Sequence, residues 1–275
     1  MLSIIISSFN VANYNNIVNN IKTTIGNDFI FEIVKIDNNG IYSLTEVYNI
    51  GGDKSLYENL LFIHEDILFD TQDWGNILIE ILNIKNCGVV GVAGGSYYGY
   101  IPSSWWNEGY KFLNFIQINN GNTIENNRIN FKNDNEKVVI LDGVFLACKK
   151  MVFDTVKFDE RIKGFHGYDL IYSLQVSKKY QNYVTSNILI KHFSAGNLDK
   201  HWFQNLLKVR EIVGYKTNST FDVNVELSNF YKLINYLNKY GYTYKESIKI
   251  IFPFLNIRLF GVINIIKMLN RLRYL

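Results

Sequence analysis

Four short apolar runs, the first three closing on polar side chains, constrain this chain most. They are "SIIISS" from Ser3, "FIFEIVKIDNNG" from Phe29, "ENLLFI" from Glu58, and "CGVVGVAGG" from Cys87. β-branched runs of this length read as buried strands. The intervals between them have helical spacing: about Asn13 to Ile25, a segment opening at Ser43, and Trp74 to Ile84. Ser43 with Glu46 three residues later makes a capping-box start. Strand, helix, strand, helix at this spacing predicts an α/β fold, with a mostly parallel central sheet flanked by helices.

The rest of the chain is less regular. Residues 94–136 are rich in Gly, Asn and aromatics and contain one strand-like segment, "KFLNFIQI", so loops and a hairpin over the sheet edge are expected. "KVVILDGVFLACKK" returns to strand character, "YDLIYSLQVSKKY" reads as a helix, and "YVTSNILIKHFS" as one late strand. Beyond Leu198 the pattern is helical. The expected organisation is one α/β domain over 1–197 and a helical C-terminal extension over 198–275.

Bulk properties exclude several classes. With 48% apolar and 19% charged residues in 275, the chain can bury a large core. A net charge of +3 gives no ground for a nucleic-acid partner. Cys87 and Cys148, far apart in apolar runs, read as buried thiols of a reducing compartment. The opening "MLSIIISSFN" lacks the basic region of a signal peptide. No uncharged apolar stretch reaches the ~18 residues of a membrane span. A cytoplasmic protein is expected, with peripheral contact at the inner face of a membrane left open.

The strand ends carry the chemistry. Open parallel sheets bind ligands outside the carboxyl ends of their strands. There the sequence places Ser8 and Asn10 after the first strand, Asp37 after the second, and "HED" (His64, Glu65, Asp66) after the third. Asp142 before Gly143, Asp169 at a helix start and His192 at the end of the late strand complete the set. Taken singly, each has a plainer reading. Ser8, Asn10 and Asp37 suit caps or turns, Asp142 a tight turn, and Asp169 a favourable helix N-terminus. His166 and His192 suit satisfied histidines. Neither a Walker-type loop nor G-x-G-x-x-G occurs.

The stretches "SIIISSFN", "VYNIGG", "LLFIHEDI", "VVGVAGG", "LDGVFLACKK", "KFDERIKGFHGYDLIYSLQV" and "ILIKHFSAG", in this order over about residues 1–197, resemble a family 2-type bacterial glycosyltransferase of the GT-A fold, the branch with an H-x-D motif. The resemblance implies inverting transfer of a sugar from a nucleotide-diphosphate sugar, most naturally a UDP-sugar, to an acceptor hydroxyl in surface polysaccharide or glycan synthesis, aided by Mn²⁺ or Mg²⁺. It implies Asp66 and His192 as metal ligands and Asp169 as general base. Ser8, Asn10, Asp37, His64 and Asp142 fall to the donor, and His166 to the acceptor. His64 stands where relatives carry the first acid of D-x-D, one formal negative charge fewer. Trp105 and Trp106, on a loop, offer flat apolar faces for an acceptor sugar, or simply pack beneath the loop. No Q-x-x-R-W is present, which favours single addition over polymer synthesis.

Two other classes stay open on the residues alone. A nucleotidyltransferase needs a basic Gly-rich loop after the first strand, which "SSFNVANYNN" does not provide. A sugar-nucleotide-binding or scaffold protein with a decayed site is consistent with His64 in place of an acid. From Lys245 to Leu275, six basic residues face one acid, Glu246, with apolar runs between. That end suits membrane contact, a lipid-linked acceptor, or packing on the domain or on a second copy.

Overall fold

The computed structural model describes residues 1–119, 122–194, 196, 198–214 and 220–275, the side chain of residue 125 excepted. The first third alternates as β1 (Leu2–Ser8), α1 (Val11–Thr24), β2 (Phe31–Asp37), α2 (Leu44–Lys54) and β3 (Asn59–Ile63), followed by β4 (Ile67–Phe69), α3 (Trp74–Leu82), β5 (Cys87–Gly91) and β6 (Ala93–Gly95). A long loop leads to β7 (Lys111–Asn119) and β8 (Asn122–Ile129), then β9 (Asn135–Val138), β10 (Ile140–Leu141) and β11 (Phe145–Lys149). Next come α4 (Lys150–Thr155), α5 (Tyr168–Val176), β12 (Gln181–Thr185) and β13 (Ile190–His192). The described chain ends in α6 (Lys200–Val213), α7 (Val223–Lys239), α8 (Tyr244–Ile251) and α9 (Ile257–Arg271), α9 being kinked at Gly261.

The central sheet has the order β2-β1-β3-β11-β5-β12-β9. β1 pairs parallel with β2 and β3, and β5 with β12, while β11 runs against both β3 and β5. Two reversals across β11 restore the direction, so β1, β2, β3, β5 and β12 point one way and only β11 and β9 oppose them. The reversed β11 matters for the site. Phe145, at its start, sits opposite Ile63, at the end of β3. The turn leading into β11, Asp142–Gly143, therefore reaches the same edge as "HED".

A second sheet has the order β10-β6-β7-β13-β4, with β8 on β7. The expected single strand "CGVVGVAGG" divides at Val92 between the two sheets, as the expected late strand divides into β12 and β13. The β13–β4 register sets His192 opposite Ile67, and Phe193 N–H donates to the Asp66 carbonyl at 2.9 Å. Two short strands thus carry His192 to Asp66.

Alternation along β1 divides the core. Ile4 and Ile6 pack with Ile17 and Ile21 of α1 and Trp74 and Leu78 of α3, whereas Ile5 faces Val47 and Tyr48 of α2 and Phe153 of α4. The capping box at Ser43 and Glu46 starts α2, as expected. That helix lies close to the sheet because two of its residues have no side chain. A Cβ on Gly51 would fall 2.3 Å from Ile5, and one on Gly52 2.2 Å from the Phe153 ring. Gly52→Ala is expected to cost about 1–3 kcal/mol, the range for overpacking a filled core. The midpoint of denaturant unfolding checks this, and an unchanged midpoint would contradict the close approach.

The helices after residue 198 share a core with what precedes them. Trp202, Phe203, Phe230, Leu233, Phe260 and Met268 form one cluster with Tyr98, Ile101, Ile140, Leu170 and Leu174. Among the described residues no helix is long and apolar enough to cross a membrane.

Candidate active site

A cavity of about 440 Å³ opens where the two sheets meet. His64 and Asp66 reach it from the β3–β4 turn, His192 and Ser194 from the end of β13, and Asp142 and Gly143 from the turn before β11. His166, Tyr168 and Asp169 enter from the start of α5, and Trp105, Trp106 and Trp202 form an aromatic side.

Three ligand-type atoms gather there. His64 Nδ1 lies 3.8 Å and His192 Nε2 3.7 Å from Asp66 Oδ1, too long for hydrogen bonds. One atom from each of the three residues fits within 4.8 Å of the others. Asp66 Oδ1 and His192 Nε2 are buried with no hydrogen-bond partner. Buried polar atoms normally have partners, so this pair is organised for something else.

Tyr168 fixes the third member. Its hydroxyl donates to the Gly143 carbonyl at 3.0 Å and lies 2.7 Å from His64 Nε2. A hydroxyl has one proton, and a carbonyl only accepts. His64 Nε2 must therefore donate to Tyr168, which leaves Nδ1 as a bare lone pair on the Asp66 side. Burial lowers the His64 pKa, outweighing the upward pull of Asp66, and keeps the ring neutral.

Asp169 is tuned differently. Burial, then the neighbouring Asp142 charge, push its pKa up to about 7, against the Gly143 N–H that donates to Oδ2 at 3.1 Å. Asp142 itself is held by Trp105 Nε1–H at 2.9 Å and Val144 N–H at 2.9 Å. Burial also lowers His166, which the nearby Asp199 partly opposes.

The cavity thus unites eight of the residues picked from sequence: His64, Asp66, Trp105, Trp106, Asp142, His166, Asp169 and His192. Ser8, Asn10 and Asp37 do not line it. Ser8 is buried and its carbonyl takes the Asn38 N–H. Asn10 caps α1, accepting from the N–H groups of Ala12 and Asn13. Asp37 pairs with Lys35 on the surface. Their neighbours Ser7, Phe9 and Asn13 face the cavity instead. Trp105 is 7% exposed and edge-on to Trp106, which stacks near Trp202, so the pair forms a packed wall. Of the "ILIKHFSAG" stretch, Ala195 lies outside the described residues.

Sequence reasoning missed Glu65 and Tyr168. The Glu65 carboxylate accepts from Phe9 N–H at 3.2 Å and Asn10 N–H at 2.8 Å, tying the end of β1 to the metal-type triplet. Its place inside "HED" was the available signal. Tyr168 had none beyond adjacency to Asp169.

The structure is similar to that of GalNAc-T7 with UDP, GalNAc and Mn²⁺, at a TM-score of 0.58 and 12% identity over 77% of this chain and 48% of that one. It is also similar to residues 1–349 of S. aureus TarS in complex with UDP, at a TM-score of 0.53 and 11% identity over 97% of this chain and 80% of that one. TarS 1–349 without that ligand gives a TM-score of 0.51 at 12% identity, over 98% and 79% of the two chains. The chain spans about half the length of the GalNAc-T7 chain. At such identities the likeness is one of fold, the GT-A fold. No curated protein matches the chain in sequence. Residues 3–218 match the family described as "Glycosyltransferase like family", well over half of the chain. The protein therefore belongs to the glycosyltransferase-like family and has a GT-A fold.

Proposed function

We propose that this protein moves a sugar from a UDP-sugar to an acceptor hydroxyl, with inversion and with the help of Mn²⁺ or Mg²⁺, in building a bacterial surface glycan. One observation carries the reading: a cluster of unpartnered ligand atoms and a carboxyl with a pKa raised to about 7 share one cavity. That two of the similar structures hold UDP supports a uridine nucleotide.

The residues present fit a divalent cation. Asp66 Oδ1 and His192 Nε2 lack partners, and His64 turns a lone pair toward them. Two imidazoles and a carboxylate suit Mn²⁺ better than Mg²⁺, which prefers oxygen. A bound ion would offset the negative charge that develops on the departing diphosphate. Asp169 takes the acceptor hydroxyl's proton as that oxygen attacks the anomeric carbon, and a base near pKa 7 is matched to this task at neutral pH. The fixed Asp142 charge keeps Asp169 basic, and the Gly143 N–H holds its orientation. Trp105, Trp106 and His166 flank the acceptor. The donor's base falls to the end of β1, beside Phe9 and Asn13, with Asp37 exposed nearby for the ribose.

Residues 1–197 act as the catalytic unit, and 198–275 as an extension that touches the acceptor. Leu198 and Trp202 of the extension line the cavity, which supports that role.

A panel of UDP, GDP and ADP, each with and without Mn²⁺, tests the proposal through thermal unfolding. A ligand at 100 times its Kd adds about 2.7 kcal/mol of stability. UDP with Mn²⁺ should raise the melting temperature most. No shift with any nucleotide under either condition would overturn the reading.

A further inference from the structure

The last helix is apolar on two sides. Phe260 and Met268 of α9 are buried against the body of the protein. Val262, Ile263, Ile266 and Leu269 of the same helix are exposed, Ile263 at 73%. The spacing i, i+1, i+4, i+7 places these four on one face. Phe252, ahead of the helix, and Ile257, its first residue, are 73% and 55% exposed. An ordinary surface helix turns charged and polar residues outward.

Apart from Glu246, the charged side chains of α8, α9 and the residues after them are all cationic. Lys245, Lys249, Arg258, Lys267 and Arg273 are all exposed, and none of them enters an ion pair among the described residues. Glu246 is the only acid from 245 to 275, and it is engaged by Thr243 in the cap of α8. A second copy laid face to face would set these cations against their own kind, which like-charge juxtaposition disfavours. A surface that is apolar within and anionic outside complements both features.

We propose that the outer face of α9, with the α8–α9 turn, docks the enzyme on an anionic lipid bilayer. Phe252, Ile257, Val262, Ile263, Ile266 and Leu269 enter the headgroup boundary, and the flanking lysines and arginines meet the lipid phosphates. The helix lies in the plane of the surface. This docking stands apart from the chemistry of the cavity and holds whatever sugar is transferred there.

Cosedimentation of the full chain with vesicles tests it. Vesicles of phosphatidylcholine mixed with phosphatidylglycerol should bind the protein, vesicles of phosphatidylcholine alone should bind it far less, and added salt should release it. The double variant Ile263→Ser, Ile266→Ser should weaken binding about tenfold. Lys267→Glu with Arg273→Glu should do so by about as much, and carries the test if the serine variant misfolds. Thermal unfolding shows whether each variant is folded. Equal binding to both kinds of vesicle, or binding that both folded variants retain in full, overturns the proposal. So does a dimer that the serine variant disperses while no vesicle binds, which would assign this face to a second copy.

Discussion

Asp169→Asn is expected to cut the rate of sugar transfer by about 10²- to 10⁴-fold, the usual contribution of a positioned general base. The amide keeps an oxygen for the Gly143 N–H, so the local geometry survives. The Mn²⁺-dependent stabilisation by UDP should therefore persist, and the loss should fall on turnover. In the wild type, burial and the Asp142 charge hold the pKa near 7. The base works only when deprotonated, so kcat/KM should rise with pH up to about 7 and then level off. The variant should lack that ascending limb. Stability should move the other way. The folded-state pKa lies above that of the unfolded chain, so Asp169 contributes its full stability below the unfolded value and loses it as pH climbs through about 7. Without metal or nucleotide, the variant should melt higher than the wild type at pH 8, and the difference should shrink toward pH 4. A variant that transfers sugar at the wild-type rate would remove Asp169 from the reaction.

Asp66→Asn should have a different signature. It removes the negative charge between His64 Nδ1 and His192 Nε2. Mn²⁺ should then add nothing to the thermal shift produced by UDP, and transfer should fall by about 10²- to 10³-fold, as when charge stabilisation at a leaving group is lost. Calorimetric titration with Mn²⁺ in the presence of UDP reads the same loss directly. Asp169→Asn keeps the metal response and loses turnover, while Asp66→Asn loses both. If Asp66→Asn kept the full Mn²⁺ response, the ion would have to lie elsewhere.

The first half of the central sheet was legible because its signals are local. β-branched runs mark β1 and β3, and Ser43 with Glu46 marks the start of α2. The second sheet was not. β4, β6 and β13 are three residues each, too short for periodicity, and two of them continue apolar runs that began in the other sheet. Where such a run changes sheets is set by pairing partners far along the chain, such as β13 on β7. The site followed the same division. His64, Asp66, Asp142, Asp169 and His192 could be picked out because polar residues ending apolar runs are visible in the sequence. Tyr168 could not, since its contact with His64 spans 104 positions. Ser8, Asn10 and Asp37 fall just outside the cavity for a local reason. Side chains alternate along a strand end, so Ser7 rather than Ser8 faces inward, while α1 claims Asn10 for its cap.

The shared core of the C-terminal helices limits how this enzyme can diversify. Trp202 both lines the cavity and packs among Tyr98, Ile101 and Leu170. Trimming the chain at residue 197 would lay bare a greasy flank and open one side of the reaction chamber in a single stroke. Grafting a foreign tail to change acceptor preference would demand a rebuilt interior as well. Variation should therefore collect on the outer surface of α9 and spare its inner one.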